Sequence, residues 1–333
     1  QKGGLEDYRV ENRIGRWMTE YTFPAVVKGD VIKADFPYHS SGRMQGYFLN
    51  TRKDKFADPR VREALNYVFD FETMNRTLFF DKYQRINSYF AGIDLSSSGL
   101  PEGKELEILE TVRSDVPPEV FTTPFKAPVN GTPQAFRDNL RKAVDLFKQA
   151  GWEFQNNKLV NAKTGEQFTI EFLESDPSFE RVVNPYIANL KRVGIDARLR
   201  VVDSAQYVER VNNFDYDVVS SVIQQSQSPG NEQREMWSTA SADQKGSRNY
   251  AGIKNPAIDK LIERVLYAKD RDELVAATKA LDRVLLWNYY VVPQWFSDEI
   301  HIAYWNKFGI PDKQPDYIGI DTDSWWIDPA KEK

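Results

Sequence analysis

The chain of 333 residues contains no cysteine and only two histidines, His39 and His301. The absence of cysteine excludes thiol nucleophiles, disulfides, iron–sulfur clusters and thiolate zinc sites. Two histidines leave little imidazole for a catalytic triad, a proton relay or a metal site, and we expect both to be structural. Glycine-rich phosphate loops and a His-Glu-x-x-His helix are also absent, so the sequence gives no support for nucleotide or zinc chemistry.

Charge and hydropathy exclude two further classes of partner. The 44 basic and 49 acidic residues are interspersed and give a net charge of -5, so we expect no nucleic-acid partner. No apolar run approaches the ~20 residues of a membrane span, and no signal peptide is recognisable. Because the chain starts with Gln1 rather than Met, we expect a processed or truncated product.

The first half of the chain predicts strands and loops followed by capped helices. Residues 1–50 carry aromatic stretches without a helical period and are interpreted as strands and loops. Asp58-Pro59 and Asp70 each place a carboxylate at a helix N-cap, which predicts two helices before residue 80. Residues 96–133 are rich in Ser, Gly and Pro and predict a long surface excursion with one short helix near 105–113. Thr132-Pro133 then begins the clearest helix.

The second half alternates strands with helices. The pattern predicts strands at 168–173, 195–201 and 216–223, separated by helices at 179–193 and 203–212. This alternation predicts an α/β fold with a mostly parallel sheet and helices on both faces. Two more helices and two more strands are expected between residues 255 and 305.

A polar segment of about 30 residues follows the predicted strand at 216–223, which is too long for a simple connection. It begins at the carboxyl end of a parallel-type strand, where open α/β sheets place their ligands. Its amides and hydroxyls suit peptide backbone, acylated termini or sugar hydroxyls, because they donate and accept without fixed charge. The alternative is a flexible solvated loop. Trp237 and Tyr250 argue against it, because large aromatic side chains are seldom left mobile in water.

Paired carboxylates leave one catalytic alternative open. Glu171 with Glu174, or Asp321 with Asp323 beside Trp325 and Trp326, would suit a glycosidase with aromatic sugar platforms. The structural interpretation is favoured for both pairs, because Asp-x-Asp near a chain end is typical of a solvated turn and the two glutamates lie at a strand end.

Several motifs together resemble one family. They are Phe56-Ala57-Asp58-Pro59-Arg60-Val61-Arg62-Glu63-Ala64-Leu65, Ala150-Gly151-Trp152 and Ser228-Pro229-Gly230-Asn231-Glu232-Gln233. The chain resembles the family 5 extracellular solute-binding proteins of bacterial ABC importers, and most of all their YejA-like branch. The resemblance implies the large peptide-binding cluster of type II periplasmic-binding-protein folds, with two α/β lobes and a hinge.

The resemblance also implies a division of the chain. Residues 1–44 are expected to be the C-terminal part of lobe I leading to the hinge, 45–302 lobe II, and 303–333 the return into lobe I. Arg43, Met44 and Gln45 are expected near the hinge. Members of this branch are longer than 333 residues, so we expect the N-terminal half of lobe I to be missing from this chain.

In relatives, the strand and loop that correspond to Ser221–Gln225 line the cleft, and an aspartate holds the ligand's α-ammonium. Gln225 occupies that position here, and its neutrality leads to the hypothesis that the ligand's amino end is blocked. The full set of expected ligand-binding residues is Ser221, Ile223, Gln224, Gln225, Ser226, Ser228, Asn231, Glu232, Arg234, Trp237, Arg248, Asn249 and Tyr250. The alternative for Asn231, Glu232 and Arg234 is bracing of the loop through mutual side-chain bonds, and for Trp237 and Tyr250 it is a structural role.

The resemblance therefore implies a periplasmic protein that captures a peptide or peptide-like solute and delivers it to an inner-membrane permease. The expected partners are that ligand, that permease and the missing N-terminal segment. We expect no enzymatic activity, no cofactor and no metal. The alternatives are a carbohydrate-active enzyme and a binding protein for a sugar or opine-like solute.

Overall fold

The structure is a computed structural model that describes residues 6–331. Its strands are β1 Tyr8–Val10, β2 Val31–Pro37, β3 Gly42–Leu49, β4 Gln84–Arg85, β5 Trp152–Gln155, β6 Lys158–Asn161, β7 Thr169–Glu174, β8 Asp196–Val201, β9 Val218–Gln225, β10 Val291–Pro293, β11 Trp295–Phe296, β12 Glu299–Trp305, β13 Phe308–Gly309 and β14 Trp326–Ile327. Its α-helices are α1 Ile14–Thr19, α2 Pro24–Val27, α3 Pro59–Val68, α4 Phe71–Leu78, α5 Gly103–Glu110, α6 Glu119–Thr122, α7 Pro133–Gln149, α8 Glu180–Arg192, α9 Ser204–Asn212, α10 Glu232–Trp237, α11 Pro256–Leu266 and α12 Arg271–Trp287.

A five-stranded sheet with the order β10-β3-β9-β7-β8 organises most of the chain. β9, β7 and β8 pair in parallel, whereas β3 pairs antiparallel with both β9 and β10. Four strands therefore run in one direction and β3 alone runs against them. The mostly parallel sheet predicted from the alternation is present, and β3 departs from it because it enters from a neighbouring sheet and not through a crossover helix.

Helices cover both faces of this sheet and enclose two hydrophobic cores. On one side α3, α4, α7 and α8 pack against residues such as Phe172 and Val218. On the other side α5, α10, α11 and α12 pack against Leu173 and Val219. Successive strand residues point to opposite faces, which is why neighbours in β7 and β9 belong to different cores. We call these two faces the α8 side and the α12 side.

The capping residues set the helix starts as the sequence predicts. The Asp58 side chain accepts a hydrogen bond from the Arg60 backbone N–H, and Asp70 accepts one from Thr73. Thr132 does the same for α7, accepting from Ala135. Each cap satisfies a backbone donor that has no partner within the first helical turn.

A second, three-stranded sheet with the order β1-β12-β2 lies beside the large one. Two connections join the sheets, at 38–41 and 297–298. The structure places all of β12 in the small sheet, and the expected boundary at 303 falls within this strand. Arg43, Met44 and Gln45 lie inside β3, just past the first connection. Residues 1–5 and 332–333 of the expected segments lie outside the described residues.

Two expectations about irregular segments are wrong. The first fifty residues include the short helices α1 and α2, whose few turns carry too little periodicity to be recognised. The stretch at 96–133 is not a surface excursion, because Ile108, Leu109 and Val112 are each at most 1% exposed and belong to the α12-side core. Its Ser, Gly and Pro residues are typical of the tight turns that connect buried residues. No helix in the described part of the chain is long and apolar enough to cross a membrane.

Candidate ligand-binding site

Strand β9 has one backbone edge that is only partly paired. On one side, β9 pairs with β3 through its whole length, from Val218 opposite Leu49 to Gln225 opposite Gly42. Along β7 it pairs only at Val218 and Val219, because β7 ends at Glu174 and the chain turns away into α8. Among the described residues, the edge of β9 from 220 to 225 therefore has no strand partner on the β7 side.

The side chains of β9 divide between the two faces of the sheet. Ser220, Val222 and Gln224 point to the α8 side, where Gln224 is exposed and Val222 is 46% exposed. Ser221 is half-buried on the other side. Ile223 and Gln225 are each 1% exposed on that α12 side, in contact with its core. Of the predicted ligand-binding residues on β9, only Gln224 and the half-buried Ser221 are therefore accessible to a ligand.

The prediction that Gln225 faces the ligand does not fit the structure. Its Oε1 accepts a hydrogen bond of 2.7 Å from Gln233 Nε2, and Gln233 Oε1 accepts one of 2.8 Å from Trp237 Nε1. Trp237, predicted as an apolar wall of the site, is 1% exposed and packs edge-on against Tyr89. The two residues hold the loop to the core, and the hypothesis of a blocked amino end, which takes Gln225 as a ligand contact, stays a prediction.

Three further residues of the predicted set brace the loop. Arg234 donates two hydrogen bonds of 2.8 and 2.9 Å to the Glu263 carboxylate and one of 2.8 Å to Asn231 Oδ1. Glu232 Oε1 accepts from the Gly230 backbone N–H at 2.8 Å. These contacts order the loop after β9, which is not the flexible loop of the alternative interpretation.

The end of the polar segment is also structural. Asn249 is fully buried. Its Nδ2 donates hydrogen bonds to the backbone oxygens of Ser238 and Ile253 and to Ser241 Oγ, and its Oδ1 accepts one from the Ile253 backbone N–H. Arg248 pairs with Glu235 at 3.5 Å. The Tyr250 ring packs edge-on against Phe48 on the α12 side, away from Gln224. The structure does not bring these three residues together with the open edge of β9.

Ser226 and Ser228 are exposed immediately beyond the end of β9. Between them, Gln227 donates a hydrogen bond of 2.9 Å to the backbone oxygen of His39, which lies in the first connection between the sheets. The backbone oxygen of Gln227 accepts from Arg271 of α12. Sequence patterns did not indicate this link between the loop and the connection, because the partners are far apart in the chain.

The carboxylates of the catalytic alternative do not form pairs around a common cleft. Glu171 binds Arg210 at 2.9 Å, and Glu174, three residues along the same strand, points to the opposite face of the sheet. Asp321 caps a short turn by accepting a hydrogen bond from the Asp323 backbone N–H. The expected solvated turn is present, and neither pair has the facing geometry that glycoside hydrolysis uses.

Four polar groups that sequence reasoning missed, or set aside, meet on the α8 side. They are the side chains of Tyr47, Glu174, Ser220 and Gln294, and we call them the Glu174 cluster. The Tyr47 hydroxyl lies next to the Gln294 amide, and the Glu174 carboxyl next to the Ser220 hydroxyl. These two contacts are weak, because within the described residues none of the four atoms makes a hydrogen bond of ordinary geometry. Burial raises the pKa of Glu174 to about 7. Tyr47 gave no signal because it lies within an apolar run.

One grouping of side chains has metal-ligand chemistry. Asp35, Glu299 and His301 place three ligand atoms within 4.8 Å of one another on the small sheet. Asp35 already binds His301 Nδ1 at 2.8 Å, and the imidazole stacks on Trp17 at 5.4 Å. Both carboxylates are exposed, so the grouping is adequately explained as a solvated surface pair with a packed, structural histidine.

Comparisons with known proteins place this geometry in a family. The model of the bacterial extracellular solute-binding proteins, family 5 Middle, matches residues 1–245. The chain is 51% identical to the probable peptide-binding protein YejA of Agrobacterium fabrum, over 98% of this chain and 53% of that protein. It is 35% identical to the peptidoglycan-binding protein YepA of the same species, over 98% of this chain and 54% of that protein.

A solved structure gives the same result for the fold. The oligopeptide-binding protein AppA of Bacillus subtilis, in complex with a nonapeptide, matches 98% of this chain and 57% of that chain, with a TM-score of 0.70 at 17% identity. The fold is that of the type II periplasmic binding proteins of the peptide-binding cluster. The chain belongs to the bacterial extracellular solute-binding proteins of family 5. It spans about half the length of the curated relatives it matches.

Proposed function

We propose that this chain belongs to the periplasmic solute-binding component of an ABC importer, which captures a peptide or peptide-like ligand and passes it to a membrane permease. Family membership supports the binding role. The names of two relatives refer to peptide and to peptidoglycan binding, and AppA was solved with a bound nonapeptide.

The open edge of β9 from 220 to 225 is the observation that carries the proposal. An extended peptide can add to such an edge as an extra strand, with its backbone groups paired to the unused N–H and C=O groups of the sheet. The incoming strand would continue the line of β7, which stops at Glu174. Backbone pairing of this kind gives affinity without requiring a particular ligand sequence.

The accessible members of the predicted set supply polar contacts beside this edge. Gln224, Ser226 and Ser228 are exposed there, and Arg43 and Gln45 on the paired strand share the face of Gln224. Amides and hydroxyls bind peptide groups of either polarity, since each both donates and accepts. Ligand capture would close the lobes by a hinge motion, with ligand contacts selecting the closed state. The connections at 38–41 and 297–298 and residues 43–45 are the proposed hinge.

The test compares a peptide with its own backbone-methylated form. Calorimetry on the longest form of the protein that contains this chain would use acetylated tetra-alanine amide and the same peptide with N-methylated central residues. Strand addition predicts that methylation lowers affinity at least roughly tenfold, because the methyl groups remove donors and block approach to the edge. Equal affinity for both peptides would contradict pairing along β9.

Two further measurements separate the remaining alternatives. Native mass spectrometry of gently purified protein identifies any co-purified solute, and a sugar in place of a peptide would move the proposal to the sugar or opine-like class. Incubation with a panel of chromogenic glycosides should release no chromophore. Turnover that disappears in a Glu171→Gln or Asp321→Asn variant would establish the carbohydrate-active enzyme instead.

A further inference from the structure

One side chain joins the loop after β9 to the first connection between the two sheets. Gln227 Nε2 donates a hydrogen bond of 2.9 Å to the backbone oxygen of His39. Gln227 is half-buried and lies between Ser226 and Ser228, the two exposed serines that the proposed function assigns to the ligand. The turn at 226–228 and the connection that contains His39 are therefore separated by a single hydrogen bond.

The turn that carries Gln227 is fixed to the part of the chain around the large sheet. Ser226 Oγ accepts a hydrogen bond of 3.2 Å from the Ser228 backbone N–H, which closes the turn around Gln227. The backbone oxygen of Gln227 accepts from Arg271, the first residue of α12. These two contacts direct the Gln227 side chain, and a ligand that bonds either serine hydroxyl acts on the same turn.

His39 is held from both parts of the molecule. Its backbone N–H donates a hydrogen bond of 2.7 Å to the backbone oxygen of Tyr317, in the segment between β13 and β14 beside the small sheet. Its ring Nδ1 donates to the Gly92 backbone oxygen at 3.3 Å, on the same side as Gln227. Because these partners belong to different parts, rotation of one part against the other must change the contacts of His39.

The restraint at His39 reaches both connections. The Tyr38 backbone N–H donates a hydrogen bond of 2.7 Å to the backbone oxygen of Asp298, so the connections at 38–41 and 297–298 are bonded to each other. Hinge residues absorb the change in backbone dihedrals when domains close, and two bonded connections must absorb it together. A contact that fixes His39 therefore acts on the whole proposed hinge.

We infer that Gln227 is a positioning residue that couples occupation of the turn at 226–228 to the conformation of the hinge. Its bond to His39 fixes one backbone oxygen of the first connection and lowers the conformational freedom of that connection when the turn is ordered. A ligand that orders the turn then meets a smaller entropic cost of ordering the hinge. Without this bond, the ligand contacts the same serines and leaves the connection free to move.

This inference rests on the proposed function, because it takes the turn at 226–228 as part of the ligand contact. It adds the route by which that contact reaches the hinge. Coupling between two sites is reciprocal, so the conformation of the connection must change peptide affinity by the same factor as peptide changes the connection. One hydrogen bond between neutral groups changes an equilibrium by roughly twofold to tenfold, which sets the size of the expected effect.

Two variants of Gln227 and one matched control test the coupling. Gln227→Met keeps the length of the side chain and removes the donor, and Gln227→Ala removes both. Gln84→Met is the control, because Gln84 Nε2 also donates a bond of 2.9 Å to the hinge, to Asp298 Oδ2, but belongs to β4 and not to the turn. All three are made in the longest form of the protein that contains this chain, and thermal unfolding confirms that each is folded.

Hydrogen exchange followed by mass spectrometry supplies the readout, with acetylated tetra-alanine amide as the peptide. In the original protein and in Gln84→Met, saturating peptide should slow exchange severalfold both at 220–225 and at 38–41. In both Gln227 variants the slowing should persist at 220–225 and be lost at 38–41. Calorimetry should show roughly threefold weaker peptide binding for these two variants and unchanged binding for the control.

The outcomes distinguish the coupling from the function on which it rests. If slowing at 38–41 is missing in the original protein, survives in Gln227→Met, or is lost in Gln84→Met as well, the coupling through Gln227 is overturned and the proposed function stands. If the Gln227 variants lose the slowing at 220–225 too, Gln227 is a ligand contact and the coupling is again overturned. If the original protein binds no peptide and shows no slowing at 220–225, the proposed function fails and the coupling fails with it.

Discussion

Two buried carboxyl groups lie on opposite faces of the same sheet and differ in what surrounds them. Asp282 of α12 is fully buried and accepts four hydrogen bonds of 2.7–2.8 Å, from the hydroxyls of Ser88 and Ser97 and the backbone N–H groups of Tyr89 and Ser97. Glu174 of β7 is nearly as buried, and among residues 6–331 its Oε1 makes no hydrogen bond of ordinary geometry, with the Ser220 hydroxyl as a close neighbour of the carboxyl. Burial raises the pKa of both groups, to about 6 for Asp282 and about 7 for Glu174.

The difference separates a fully hydrogen-bonded acid from one whose only close polar neighbour is the Ser220 hydroxyl. Asp282 ties α12 to the segment around 88–97, and its four donors offset much of the cost of burial. Glu174 has comparable burial with much less of this compensation.

Two buried arginines show the same contrast. Arg283 on the α12 side binds Glu105 at 2.8 Å and the backbone oxygens of Gly99 and Ser98 at 2.7 and 3.0 Å. Arg85 on the α8 side lies 4.8 Å above the Phe69 ring, and its guanidinium has no hydrogen-bond partner in the part of the chain that the structure describes. Burial lowers the pKa of Arg85 to about 10. The buried guanidinium on the α12 side is thus paired with a carboxylate and backbone oxygens, whereas the one on the α8 side packs on an aromatic ring.

The largest expected effect on stability is at Asp282, the fully hydrogen-bonded carboxyl group on the α12 side. Asp282→Ala removes the acceptor of two backbone N–H groups and two hydroxyls and should lower the free energy of unfolding by roughly 3–5 kcal/mol, measured by urea denaturation. Asp282→Asn keeps one accepting oxygen and should cost less. A loss below about 1 kcal/mol for the alanine variant would show that the four hydrogen bonds do not stabilise the fold.

The second prediction concerns Glu174, where a substitution should raise the free energy of unfolding by an amount that depends on pH. The folded-state pKa of Glu174 is raised from 4.5 to about 7, so the stability contributed by its protonated form is complete below pH 4.5 and is lost as pH rises to 7. Glu174→Gln avoids this loss and should be more stable than the original chain by roughly 3 kcal/mol at pH 8. Urea denaturation at pH 5 and pH 8 measures it. A difference that does not grow with pH would contradict the assigned burial.

The smallest effect compares two serines. The Ser97 hydroxyl donates to Asp282 at 2.7 Å, and Ser97→Ala should cost about 1–2 kcal/mol of stability. The Ser220 hydroxyl has only a weak contact with Glu174 within the described residues, and Ser220→Ala should change stability by less than about 0.5 kcal/mol. Thermal unfolding of the two variants side by side checks the pair. Equal losses would remove the distinction between the two clusters.

The helices that could be predicted are those with a local signal. α3, α4 and α7 each have a capping side chain followed by apolar residues at helical spacing, and both features act within a few residues. The strands β7 to β9 and the helices between them were also predicted from local patterns of apolar residues. α1 and α2 were missed because six and four residues are too short for a period to show. The reversed strand β3 was not predictable, since pairing direction depends on distant partners.

Which of the proposed binding residues are accessible could not be predicted, because their exposure depends on strand register. Gln224 and Gln225 are equally polar in the sequence, yet one is exposed and the other is 1% exposed. Alternation along β9 sends them to opposite faces, and only the helices packed above each face decide which side is core. Trp237 and Asn249 were interpreted as site residues, although their hydrogen bonds join segments that fold against each other.

The sequence by itself determined the family, the α/β architecture and the location of most helices and strands. These follow from local capping, periodicity and motifs, whose physical effects reach only a few residues along the chain. The tertiary structure alone decided that β9 keeps an open edge and that Tyr47, Glu174, Ser220 and Gln294 meet beside it. The cluster combines residues of β3, β7, β9 and the β10–β11 connection, which lie far apart in the chain and meet only through strand pairing and register.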